Sequence, residues 1–221
     1  MNARYLLMQL LRQANNARAG SNGKQSGGFD AKGMLKSGAM GLLLGSKRGR
    51  LLSGALLKYG LLFEAGKFGW QAWQRYRQHQ QEKGEQVAEA PQGVPFELLD
   101  PTAQERRSLA ILRTMIAAAN ADGHIDESER HMLTDRFAEM GADSELNGWV
   151  EREIQSPSSV ETLAGEADSQ QAAIEMYLAA VSIIYGQDSE DRKWLDRLAA
   201  ALGLDKDMAR ELERQEQTQE E

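Results

Sequence analysis

The sequence predicts an all-α protein, a Gly-rich apolar helical N-terminal segment followed by a compact bundle of seven helices. Three observations predict it. Strand signals are scarce while Ala, Leu, Glu, Gln and Arg dominate, which favours helix. Apolar residues recur at helical spacing from about residue 98 onward. Acidic or hydroxyl caps and single glycines punctuate that pattern where helices start and stop. The 221 residues contain no cysteine, so disulfides, thiolate zinc sites and cysteine nucleophiles are excluded and the redox compartment is left open. No secretory signal stands out, because the apolar run Tyr5–Leu11 is short, is interrupted by Gln9 and lacks a small-residue cleavage site. Charge is split along the chain. Residues 1–90 carry a net +9 and residues 91–221 a net −16, giving the overall −7. The basic part is drawn to anionic lipid or nucleic acid, and the acidic part repels both.

In chain order, residues 1–32 read as a short helix over 3–17 and a flexible Gly/Ser/Asn/Lys linker. Residues 33–80 follow, with glycine recurring between Leu-rich runs. Each Gly costs an exposed helix about 1 kcal/mol, so their repetition needs a reason. Gly41, Gly45, Gly49 and Ser53 lie four apart and form one small-residue face, the pattern by which helices approach closely in lipid or in an oligomer. Trp70, Trp73 and Tyr76 beside Arg75 and Arg77 suggest a membrane–water interface. Lys47, Arg48 and Arg50 are placed to contact anionic lipid; the Leu-rich runs around them favour lipid over nucleic acid. A simple span is opposed by charge, because Leu51–Trp73 is long enough but contains Lys58, Glu64 and Lys67. A shallow hairpin or interfacial helices, a true span, and a soluble self-associating pair therefore all stand as readings.

Residues 81–97 form a Gln/Glu-rich linker ending in Pro91, Gly93 and Pro95. The bundle occupies 98–216, with helices predicted near 102–120, 126–140, 144–155, 159–166, 169–185, 189–202 and 206–216. Pro101-Thr102 opens the first. Asp126 with Glu129, Ser158 with Glu161, and Asp188 with Asp191 have capping-box spacing, while Asp143 and Asp205 are single caps. Gly123, Gly141 and Gly203 mark helix ends. An offset of 62 residues pairs Asp126 with Asp188, Glu129 with Asp191, Arg130 with Arg192, Leu133 with Leu195 and Gly141 with Gly203, which suggests an internal duplication.

Residues 118–129 carry most of an EF-hand calcium loop. Asn120, Asp122, Asp126 and Glu129 fall at its positions 3, 5, 9 and 12, Gly123 at 6 and Ile125 at 8, but position 1 is Ala118. Without that first carboxylate, a divalent cation such as calcium would bind weakly or borrow ligands from the second half, Asp188 and Asp191. The other reading is helix punctuation, in which Gly123 ends one helix and Asp126 with Glu129 opens the next. His79, His124 and His131 lack a zinc-ligand order, and Gly45-Ser46-Lys47 fails the phosphate-loop pattern.

The run Ala121-Asp-Gly-His-Ile-Asp-Glu-Ser-Glu-Arg130, followed some 60 residues later by Asp188-Ser-Glu-Asp-Arg-Lys-Trp-Leu195, resembles the TerB (tellurite-resistance) all-helical domain. The run Gly41-Leu-Leu-Leu-Gly-Ser-Lys-Arg-Gly-Arg50 resembles the N-terminal part of a YebE-type inner-membrane family of unknown function. Together the resemblances imply a bacterial inner-membrane-associated protein with a cytoplasmic TerB-like domain, non-enzymatic, acting as a metal or signalling module in envelope or chemical stress. The sequence is accordingly read as a membrane-associated adaptor, binding lipid through 33–80 and partners through its acidic domain. The alternative is a soluble homo-oligomeric metal-sensing module.

Overall fold

A computed structural model describes residues 1–9, 65–83, 90–121, 125, 127–184 and 189–218; inside its helices, the side chains of 65–70, 128, 129, 132, 136 and 215–218 fall outside that description. Among the described residues all regular structure is helical: α1 (residues 3–9), α2 (Ala65–Lys83), a 3-10 turn at Phe96–Leu98, α3 (Pro101–Ala119), α4 (Glu127–Glu139), α5 (Ser144–Gln155), α6 (Val160–Gly165), α7 (Gln170–Ile183), α8 (Ser189–Ala201) and α9 (Lys206–Thr218). The seven helices expected after residue 98 are all present.

Capping explains most boundaries. Asp100, immediately before Pro101, accepts from the N–H groups of Thr102 and Ala103 at 2.9 and 3.1 Å, satisfying two donors that a helix start leaves unpaired. Asp143 accepts from Leu146 N–H at 2.8 Å, and Asp205 accepts from Asp207 N–H at 2.8 Å. One register differs from expectation. The cap of α6 is Ser159, which accepts from Thr162 N–H at 3.3 Å, whereas Ser158 turns back to Glu153 at 3.2 Å. Gly141 and Gly203 close α4 and α8 with φ of +89° and +69°, the left-handed turn that glycine adopts without a Cβ penalty.

The duplication appears in the backbone. From α4 to α8 the start moves from residue 127 to 189, and from α5 to α9 it moves from 144 to 206. The helix ends share one hydrogen-bond pattern: Gly141 and Ala142 N–H donate to Ala138 and Phe137 carbonyls, and Gly203 and Leu204 N–H to Ala200 and Ala199. α5 packs on α3 as α9 packs on α7, and among the described elements α3 and α7 share the most extensive contact.

The N-terminal elements are part of this core. Leu6 and Leu7 of α1 are fully buried, a contribution of about 1.5–3 kcal/mol each by apolar burial. The Glu105 carboxylate accepts from the N–H groups of Ala3 and Arg4 at 2.8 and 2.9 Å, so α3 caps α1. The Asn2 amide donates to Gly141 carbonyl at 2.8 Å and accepts from Asp143 N–H at 3.0 Å, fixing α1 to the α4–α5 turn. α2 lies against α7 and α9, with Ala72, Trp73 and Tyr76 buried. Arg75 meets Glu211 at 3.5 Å and Lys83 meets Asp207 at 3.1 Å. A span reaching from Leu51 to Trp73 is corrected at its end: Ala72 and Trp73 lie in the core of the bundle, because α2 buries the face carrying Trp73 and Tyr76 against α7 and α9. Among the described residues no helix is long and apolar enough to cross a membrane.

The segment 91–98 is an extended strap, held by a buried polar cluster rather than by regular structure. Arg107 and Glu175, both side chains 2% exposed, form an ion pair at 3.2 Å between α3 and α7. Glu175 also accepts from Phe96 N–H at 3.2 Å and from Gln171 at 3.0 Å. Arg107 also donates to Val94 carbonyl at 2.6 Å and to Asp168 and Ser169. Gly93, at φ +125°, lies where a Cβ would come within 2.4 Å of Ser169 Oγ, so only glycine fits.

Burial holds the Glu175 carboxyl above its usual range, opposed by Gln171, the Arg107 charge and Phe96 N–H. A carboxyl raised in this way protonates more readily in the folded than in the unfolded chain. Ionising it therefore works against the fold, with no cost below the ordinary carboxylate range and the full cost above the raised value. Urea midpoints measured from about pH 4 to about pH 8 should show wild type losing stability relative to Glu175→Gln as pH rises through that window. A pH-independent difference between the two proteins would contradict this.

Candidate functional site

Two places on the bundle carry chemistry beyond packing, and the first is the acidic connection after α3. Asn120 is the C-cap of α3, its backbone N–H donating to the carbonyls of Ile116 and Ala117 at 3.2 Å each. Ile125 packs against the core from the same connection. Asp122, Asp126 and Asp188 lie outside the described residues, as does the Glu129 side chain. Asp191 lies in the first turn of α8, partly buried. Among the described residues no group of three His, Cys, Asp or Glu gathers as a metal site. Gly41, Gly45, Gly49 and Ser53, with Lys47, Arg48 and Arg50, lie outside the described residues, and only the backbone of Trp70 lies within them. Trp73, expected at a membrane or oligomer contact, is 6% exposed and in the core. Its ring faces the bundle while the Arg77 guanidinium sits 5.4 Å from its centroid, so it seals α2 to the domain.

The second place is a cleft of about 400 Å³ between α8 and α9. Its floor is Ala199, Ala200, Leu204 and Ala209. One wall is a polar chain that begins in the core. The Tyr177 ring on α7 is fully buried and its hydroxyl donates to Glu213 at 2.5 Å. Glu213 accepts a fork from Arg192 at 2.8 and 3.0 Å, and Arg192 reaches Asp196 one turn on at 3.0 and 2.6 Å. Lys206 and Arg210, both on α9, also line the cleft.

The electrostatics of that wall are one-sided. Burial, reinforced by the Glu213 hydrogen bond, holds the Tyr177 phenol protonated well above its usual range. The hydrogen bond to Glu213 likewise keeps Arg192 charged, outweighing its partial burial. Neither group titrates near neutrality, so the chain fixes the shape of the wall and does not pass protons along it. Sequence reasoning registered Arg192 through its echo with Arg130 and Tyr177 as one of the apolar residues at helical spacing, and read neither, nor Glu213, as part of a site. Their meeting depends on α7 packing on α9, which no local spacing encodes.

Comparison with known proteins adds a family. The family described as "Protein of unknown function (DUF533)" matches residues 30–216. An "Uncharacterized protein in ampR 5'region" of Yersinia enterocolitica is 24% identical over 104 residues, covering 47% of this chain and 75% of that protein. No solved structure matches the chain.

Replacing Tyr177 by Phe keeps the packed ring and removes its hydroxyl. Loss of that single hydrogen bond is expected to lower stability by about 1 kcal/mol, read as a shift of the denaturation midpoint at unchanged slope. An unchanged midpoint would show that the Glu213 contact contributes nothing to the fold.

Proposed function

The chain belongs to this DUF533 family, and from that premise we propose that it is a non-enzymatic, membrane-associated adaptor. Its acidic, TerB-like bundle faces the cytoplasm of a bacterial cell and binds protein partners in envelope or chemical stress. The Gly-rich segment is its attachment to the inner membrane. One observation carries the reading. α1 and α2 flank residues 10–64, and both lie in the core of one bundle. A segment whose two ends return to the same domain crosses a bilayer an even number of times or not at all. A single span would put Leu7 and Trp73 on opposite sides of the membrane, although both pack in one core. Attachment as a hairpin or as interfacial helices satisfies that constraint. The family match supports treating segment and bundle as one unit, since it runs from residue 30 to residue 216.

The cysteine-free sequence makes this testable by single-cysteine labelling. Tyr5→Cys replaces a side chain 51% exposed on α1, and Gln78→Cys an exposed one on α2. With a membrane-impermeant maleimide, both should react in inside-out vesicles and neither in intact spheroplasts. Opposite labelling of the two sites would overturn the shared-side topology. Release of the full chain from membranes by carbonate would sink attachment and leave the soluble homo-oligomeric module.

We further propose that the acidic connections after α3 and α7 share a weak divalent-cation site, formed by Asn120, Asp122, Asp126 and Glu129 with Asp188 and Asp191. The EF-hand spacing and the 62-residue repeat of the α4 and α8 starts support it. Calorimetric titration of the full chain with calcium should give heat that Asp122→Ala with Glu129→Ala abolishes. No heat from wild type would leave the loop as helix punctuation alone.

A further inference from the structure

The second half of the duplication carries smaller side chains than the first at two positions that line the α8–α9 cleft. Phe137 is buried near the end of α4, and its carbonyl accepts from Ala142 N–H at 3.0 Å. At the same place in α8 stands Ala199, whose carbonyl accepts from Leu204 N–H at 2.9 Å. The shared turn puts a methyl group in α8 where α4 carries a phenyl ring. In the following helices the same offset matches Asn147 of α5 with Ala209 of α9. Both changes shorten the side chain, and both shortened positions line the α8–α9 cleft. The open volume of about 400 Å³ falls within the range of small-molecule pockets.

The charge around this apolar floor is unevenly compensated. Arg192 is committed to Asp196 and Glu213, so that wall is internally paired. Arg210, which also lines the cleft, reaches Asp207 only at 3.4 Å, its side chain 76% exposed. Asp207 is itself engaged by Lys83. Lys206 has no ion pair among the described residues. The charge left to meet a ligand at the mouth is therefore positive, over a floor of alanine and leucine.

We propose that the α8–α9 cleft binds a small aromatic anion. Its ring rests on Ala199 and Ala209 in place of the phenyl that the first half supplies. Its anionic group meets Lys206 and Arg210 at the rim. The paired Arg192–Glu213 wall, anchored by Tyr177, holds the cleft open at a fixed width. The proposal does not depend on membrane attachment.

The test uses 8-anilinonaphthalene-1-sulfonate, an aromatic sulfonate whose fluorescence rises on binding, titrated into the full chain. Saturable one-site binding is expected. Ala199→Phe, which restores the ring of the first half, should weaken it by roughly tenfold or more, and Lys206→Glu by several-fold. Leu98→Ser, which removes an exposed apolar side chain elsewhere, should leave binding unchanged. Non-saturable binding, binding indifferent to Ala199→Phe, or loss on Leu98→Ser would overturn the proposal. Ala209→Leu fills the same floor from α9. If both filling variants lose the helical circular-dichroism signal, the cleft has no room for a ring and the proposal fails equally.

Discussion

A buried ion pair between α3 and α7 organises the rest of the molecule. Taking Arg107 and Glu175 out of water costs several kcal/mol per charge, and their attraction offsets this only if the remaining polar atoms are also satisfied. The strap 91–98 supplies much of that satisfaction through Val94 carbonyl and Phe96 N–H, and the start of α7 supplies Gln171, Asp168 and Ser169. Arg107 Nε remains buried without a hydrogen-bond partner. A pair of leucines in these positions would pack the two helices as well, yet would give the strap no fixed register. What the charges add is position: they dictate where the chain from α2 must run to enter α3, and so where α2 can lie against α7 and α9.

The helices of the bundle were legible because their determinants are local. Asp143 and Asp205 are caps that a reader can place from spacing, and Gly141 and Gly203 occupy left-handed turns that the sequence marks. The one shifted cap, Ser159 for Ser158, was decided by Glu153 on the preceding helix, which takes the hydroxyl of Ser158. Trp73 and Tyr76 were misread for a similar reason. Aromatic residues beside arginines suit a membrane interface and a domain interface equally, and only the partner surface distinguishes them. Here Arg75 is matched by Glu211, a carboxylate more than 130 residues away. The candidate sites were legible to different degrees. The acidic loop was read from spacing alone, whereas the α8–α9 cleft exists because of what two positions lack.

That cleft follows from how duplicated helical pairs diverge. The turn at Gly141 and the turn at Gly203 share dihedral class and hydrogen bonds, so the backbone is conserved between halves while side-chain volume is not. Large-to-small changes in a packed interior ordinarily cost stability through the cavity they leave. At the mouth of a helix pair the space is open to solvent, and the penalty is smaller. The Tyr177–Glu213–Arg192 chain spans the same helix pair and limits its collapse, tying α8 to α9 and both to α7.

Charge asymmetry along the chain takes on a different meaning once α1 and α2 are seen in the core. Part of the positive charge of residues 1–90 is neutralised within the fold, Arg75 by Glu211 and Lys83 by Asp207. What remains is concentrated in residues 10–64, which carry nine Lys and Arg against two acidic residues. This basic stretch is anchored at both ends to a domain that is strongly acidic. An anionic bilayer would therefore attract the stretch and repel the domain, while the two anchors keep them within a short reach of each other. Beyond about 8–10 Å the repulsion is screened at physiological salt, so the bundle need stand off by little more than one layer of side chains. In the proposed attachment the apolar Leu runs would add a term that salt does not screen. Under the proposed attachment, burial would supply the attraction and charge would set the distance at which the acidic bundle is presented.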